Sequence, residues 1–176
     1  MQWLSALLIG VVVGIVSCDI TCYDKEEYTC LKEFNKEFPS SLENYCRDEI
    51  PLLKCISEAA SKCKTNFVRE AEDLYRIHTD ACTEGTELNK AAKEHVDCIT
   101  NATDGAKCSL GEGGFDLKDK TLGEGKCMDI RITEVCLFET VKSECGRNAG
   151  DTFLIVYHPL AQLIMKICYA RGHHQN

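Results

Sequence analysis

The chain has 176 residues, 13 of them cysteine, and a formal net charge of −8 from 28 acidic and 20 basic side chains. That length suits one domain or two small ones, and a hydrophobic fraction of 44% is enough for a packed core, which argues against wholesale disorder. The acidic balance argues against nucleic acid as a partner, because phosphate binding needs a basic face, and against a polybasic membrane-surface role.

Met1 to Ser17 carry no charged side chain, and Leu4 to Val16 form an apolar run of 13 residues interrupted only by Ser5, Gly10 and Gly14. A membrane span needs about 20 apolar residues, and the charged stretch Asp24-Lys25-Glu26-Glu27 follows closely. Residues 1–18 therefore read as a cleaved signal peptide, which predicts a secreted, extracellular protein with no membrane span. Cleavage after Ser17 leaves 13 cysteines, and cleavage after Cys18 leaves 12. Cysteines in an oxidising compartment pair, so parity favours a mature chain starting at Asp19. Ile15-Val16-Ser17-Cys18 also has the look of a bacterial lipobox, but the uncharged leader and the many remaining cysteines disfavour that reading.

The mature region, 19–176, has helical apolar spacing throughout. Tyr23, Cys30, Phe34 and Phe38 suit a first helix ending before Pro39. Leu52, Cys55, Ile56, Ala59, Ala60 and Cys63 follow the i, i+3, i+4 pattern of a second helix, and Phe67, Ala71, Leu74, Tyr75, His78 and Cys82 repeat it in a third, which Gly85 stops. Thr86 is a good N-cap for a fourth helix carrying Leu88, Ala92, Val96 and Ile99. Residues 127–145 form a fifth, closed by Gly146; its apolar residues Met128, Ile132, Val135, Leu137, Phe138 and Val141 spread around much of the circumference, as in a central helix. Asp151 is the expected cap of a sixth helix with Leu160, Leu163, Ile164, Ile167 and Cys168, which Pro159 kinks or restarts and Gly172 ends. The expected fold class is all-α, a disulfide-stapled domain of about six helices.

The cysteines suggest a duplication. Cys22, Cys30, Cys46, Cys55, Cys63 and Cys82 are separated by steps of 8, 16, 9, 8 and 19; Cys98, Cys108, Cys127, Cys136, Cys145 and Cys168 by steps of 10, 19, 9, 9 and 23. The two series run long and short in the same order, which points to two six-cysteine pseudo-repeats, 19–86 and 87–176, sharing one core. Sequence order leaves the pairing open. Helix geometry limits it, since residues eight or nine apart on one helix lie about 12–13.5 Å apart and a disulfide needs Cα atoms within about 7 Å. Cys55–Cys63, Cys127–Cys136 and Cys136–Cys145 are thereby excluded. A nine-residue step is also a net half turn, so Cys136 should face away from Cys127 and Cys145, with the fifth helix stapled on opposite sides.

Residues 102–126 hold six of the twelve glycines and read as a loop tethered by Cys108 and Cys127. The loop reads first as a tethered surface segment and second as a partner-binding loop, and 109–126 is the candidate inhibitory loop of a protease inhibitor. Asn101-Ala102-Thr103 is an N-glycosylation sequon, and Asn101 is the expected modified residue.

No metal or catalytic spacing accompanies the cysteines. The chain has no Cys-x-x-Cys, no His-x-x-x-His and no Gly-x-Ser-x-Gly, and twelve oxidised cysteines bind each other rather than zinc. His173-His174 reads as a solvated tail, His78 as a core histidine, and Glu94-His95 as a local helical pair. The expectation is a non-enzymatic protein with no catalytic residues, no metal and no cofactor, acting as a binding or structural protein toward an extracellular protein partner. The rival readings are a venom or salivary toxin acting on a receptor or channel, a carrier of a small hydrophobic ligand held between helices, and a protease inhibitor.

By cysteine count and order from Cys22 to Cys168, and by the Glu144-Cys145-Gly146 step before a long helix holding the last cysteine, the chain resembles the nematode extracellular twelve-cysteine domain of unknown function and the arthropod 27-kilodalton haemolymph glycoproteins. That resemblance implies a secreted helical domain and supplies no active-site residues.

Overall fold

In a computed structural model of the chain, the described residues are 19–34, 42–108 and 124–172, with side chains described at all of these except Phe34 and 124–129. They form six helices: α1 (Ile20–Phe34), α2 (Leu42–Lys62), α3 (Val68–Cys82), α4 (Glu87–Gly105), α5 (Glu124–Cys145) and α6 (Arg147–Ala170). There is no strand among the described residues, and the protein is a disulfide-stapled all-α domain. Residues 1–18, expected from the sequence to be a signal peptide, lie outside the described residues.

Local chemistry sets most helix ends. The Asp19 carboxylate accepts from the Cys22 backbone N–H at 2.9 Å and caps α1. Thr86 caps α4 as expected, its hydroxyl oxygen accepting from the Asn89 N–H at 3.0 Å. The Asn89 amide then donates to the Ala81 carbonyl at 2.8 Å and closes the α3–α4 corner. Gly146 alone separates α5 from α6. Its φ of 88° lies in the left-handed region that side chains avoid, its N–H donates to Lys142 O, and its carbonyl accepts from Gly150 N, both at 3.1 Å.

Several boundaries differ from the sequence expectation. α2 starts at Leu42, ten residues before Leu52, and runs through Pro51. Proline removes one helical hydrogen bond and costs about 3 kcal/mol in a helix interior. Here Cys46–Cys82 and Cys30–Cys55 pin the helix on both sides of Pro51. α6 starts at Arg147 with Gly146, not Asp151, at the cap position, and continues through the buried Pro159 without a break. Burial of ten α6 residues offsets the lost bond. α4 extends to Gly105 because Ala102 packs into the core beside Val141, Ala149 and Phe153. α5 begins at Glu124, so the expected loop 102–126 contracts to 106–123, of which 109–123 lie outside the described residues.

Five disulfides are described: Cys22–Cys63, Cys30–Cys55, Cys46–Cys82, Cys98–Cys145 and Cys108–Cys136, with Cα separations from 5.5 to 5.9 Å. Cys168 is disulfide-bonded as well. None of the five joins two residues of one helix, in keeping with the geometric exclusion. Numbered within its own half, the first half pairs its cysteines first to fifth, second to fourth and third to sixth. The second half pairs first to fifth and second to fourth. Both described bridges of α5 lead to α4 or the residues just after it. Cys136 and Cys145 are a half turn apart, yet they tie α5 to the same neighbour.

The core has three clusters. Tyr23 of α1, Leu53, Ala59 and Ala60 of α2, Phe67 in the α2–α3 turn, and Ala71 and Leu74 of α3 are buried with Leu163 and Ile167 of α6. The Tyr23 and Phe67 rings meet edge to face at 4.8 Å. Ile130 of α5 packs with Ala161, Ile164 and Cys168, and Ala102, Val141, Ala149 and Phe153 form the third group. α6 contributes to all three. It is long and apolar enough by composition to cross a membrane; Phe153, Leu163, Ile164 and Ile167 are buried in the core, whereas Ile155 and Tyr169 are exposed.

Candidate binding surface on α5

α5 is apolar on more than one side, and the structure shows which side is used. Ile130 and Val141 are fully buried; eleven residues are about three turns, so they share a face, and that face packs on α6. Ile132 is displaced from Ile130 by about 200° around the helix. It is 68% exposed, and Val135, one turn on, is 62% exposed. The expectation that α5 is enclosed as a central helix is thereby corrected. The two aliphatic side chains line an open depression with Arg131, Glu134 and Cys136. The bridge from Cys136 to Cys108 anchors its edge.

Behind this surface lies a polar pair joining α5 to α6. Glu134 is only 6% exposed, and its Oε1 is 2.6 Å from Nδ1 of the half-exposed His158. His158 Nε2 is 3.2 Å from the Gln162 side-chain nitrogen. One neutral tautomer satisfies both: Nδ1–H donates to the carboxylate and Nε2 accepts from the Gln162 amide. The pair orients an imidazole as catalytic carboxylate–histidine pairs do, but His158 is engaged by Glu134 and Gln162, neither of which is a hydroxyl or thiol nucleophile. Burial, with the Glu134 charge second, pushes the neighbouring Tyr157 hydroxyl up to about 12. Next to Glu134, the Thr133 hydroxyl is buried without a hydrogen-bond partner.

The residues singled out from the sequence are not gathered at this surface. His78 is buried between α3, α2 and α6, bonded to Tyr45 and to the Val156 carbonyl, so it is a core histidine. His95 lies 3.9 Å from Glu94. Asn101 is exposed in the last two turns of α4, and the sequon Thr103 hydroxyl donates to the Ile99 and Thr100 carbonyls at 2.9 and 3.0 Å. His173 and His174 lie outside the described residues, as does most of the candidate loop 109–126. No cluster of His, Cys, Asp and Glu suited to a metal ion occurs among the described residues.

Sequence reasoning missed the Glu134–His158 pair. A signal was present: Glu134 falls one turn after Ile130, on the buried stripe, where an acid requires a partner. Which residue answers it is decided by the α5–α6 hairpin, 24 residues away along the chain.

Comparison with protein-family models, with curated proteins and with solved structures finds no match. The functional reading therefore rests on the chain's own chemistry.

Proposed function

We propose that the protein is a secreted, non-enzymatic extracellular binding or structural protein, in which disulfides fix a helical scaffold and α5 presents a surface to a protein partner. The observation that carries the reading is the exposed pair Ile132 and Val135 on a helix held by the Cys98–Cys145 and Cys108–Cys136 bridges. Large aliphatic side chains on a rigid element bind at low ordering cost, because little conformational freedom remains to be lost. The five bridges support an oxidising destination. The net charge of −8 supports a partner with a complementary basic rim.

The test is expression of the full chain in a eukaryotic secretory host, followed by chemical cross-linking in the extracellular fluid of the source. Accumulation in the medium with blocked thiols is expected, together with a discrete cross-linked partner that the double substitution Ile132→Asp, Val135→Asp abolishes. Retention in the cell as a free-thiol protein, or a partner indifferent to the double substitution, overturns the reading. A co-purifying apolar molecule in native mass spectrometry would replace it with a carrier function.

A further inference from the structure

The two halves repeat more than a cysteine order. In the first, α1 carries cysteines one and two, α2 carries three and four, Cys63 follows just after its end, and α3 carries six. In the second, α4 carries cysteine one, Cys108 follows just after its end, α5 carries three, four and five, and α6 carries six. The third and fourth cysteines are nine residues apart in both middle helices, Cys46 to Cys55 and Cys127 to Cys136. In each half the fourth and fifth cysteines, in the middle helix or just past its end, bridge back to the first helix or its end. The first half then joins its middle helix to its last helix through Cys46–Cys82.

We propose that residues 19–86 and 87–176 are two copies of one three-helix, six-cysteine unit, and that the second copy is completed by a disulfide between Cys127 of α5 and Cys168 of α6. Cys168 is buried at 3% exposure and disulfide-bonded, and ten of the other cysteines are committed to the five described bridges. Cys18 and Cys127 are then the remaining candidates. The helical register favours Cys127: it lies three residues before Ile130 on α5, on the same face, and Ile130 packs in one cluster with Cys168. Cys18 belongs to the segment read as a leader. Formation of the bond joins the two Sγ atoms and releases two protons and two electrons, taken up by a disulfide oxidant of the secretory route through thiol–disulfide exchange, which leaves that oxidant as a dithiol. The bridge ties α5 to α6 as Cys46–Cys82 ties α2 to α3, so each middle helix is held from both neighbours.

The sequence provides a direct test. Lys126 and Arg131 bracket Cys127, and Lys166 and Arg171 bracket Cys168. A tryptic digest of the secreted full chain, blocked with an alkylating agent and kept non-reduced, should contain peptide 127–131 linked to peptide 167–171. Recovery of Cys168 linked to a peptide containing Cys18, or of Cys127 alkylated as a free thiol, overturns the proposal. The variant Cys127→Ser should expose one alkylatable thiol on peptide 167–171, whereas Cys18→Ser should expose none there. Should Cys127→Ser fail to accumulate, the map of the unsubstituted chain decides alone.

Discussion

His78 of α3 and the backbone carbonyl of Val156 in α6 are joined by a hydrogen bond of 3.1 Å across 78 residues of sequence. The ring's Nε2–H donates to that carbonyl, which leaves Nδ1 to accept from the Tyr45 hydroxyl of α2. Three helices are thus fastened through one neutral imidazole. The arrangement requires the neutral ring, because a proton on Nδ1 would leave Tyr45 without its acceptor.

The first prediction concerns pH. Burial pushes the His78 imidazole down to about 4, against about 6.5 in an unfolded chain. Between those values the unfolded state binds more protons, so this contribution is complete above about pH 6.5 and is lost as pH falls toward about 4, by about 3 kcal/mol in all. Burial of the Glu27 and Glu49 carboxyls raises theirs, which works in the opposite sense: their contribution fades as pH rises through the carboxylate range. Denaturant midpoints measured from pH 7 to pH 4 for the natural chain and for His78→Gln should converge on acidification. Parallel curves would show that His78 titrates freely.

A second prediction concerns the tie between α1 and the end of α6. Arg171, just past α6, donates to Asp24 Oδ1 at 2.6 Å and to Glu27 Oε2 at 2.8 Å on α1, while the Tyr23 hydroxyl donates to Glu27 at 3.3 Å. Removing the guanidinium leaves Glu27 desolvated and beside another acid. Because Asp24 is half-exposed, solvent screens part of that loss. Arg171→Ala should lower stability by about 1–3 kcal/mol, read by urea unfolding. Arg171→Lys should recover only part, since one ammonium cannot reproduce the fork that reaches both carboxylates.

A third prediction has the opposite sign. Thr133 holds its hydroxyl buried and unpaired, and leaving a buried donor unsatisfied costs about 1–3 kcal/mol. Thr133→Val keeps the shape and removes the hydroxyl, so thermal unfolding should shift upward by an amount equivalent to about 1 kcal/mol. An unchanged or lowered midpoint would show that the hydroxyl is satisfied in solution.

The helices were legible from the sequence because six stretches repeat apolar residues at helical spacing, whereas the cysteine order left the pairing open and helix geometry excluded only bridges within one helix. Misplaced boundaries have a common cause. Pro51 and Pro159 sit where local preference argues for a break, and tertiary burial or a flanking disulfide holds them helical instead, while the glycines that follow Ala102 hid the extension of α4 to Gly105. The Glu134–His158 pair and the Arg171 clamp were not legible, since each links residues far apart in sequence that only the packing of α6 on α5 and α1 brings together. The exposure of Ile132 and Val135 was hidden for the same reason: an all-round apolar helix does not declare which side its neighbours leave uncovered.

Leu163 and Ile167 of α6 complete the cluster formed by α1, α2 and α3, and this sets a schedule for synthesis. The N-terminal half leaves the ribosome with every cysteine it needs for its own three bridges, yet its core stays open until nearly the last residues of the chain emerge. Oxidation of that half can therefore run ahead of its packing. A nonsense mutation truncating the chain before Leu163 would damage the half translated first, leaving its apolar face for chaperones to cover.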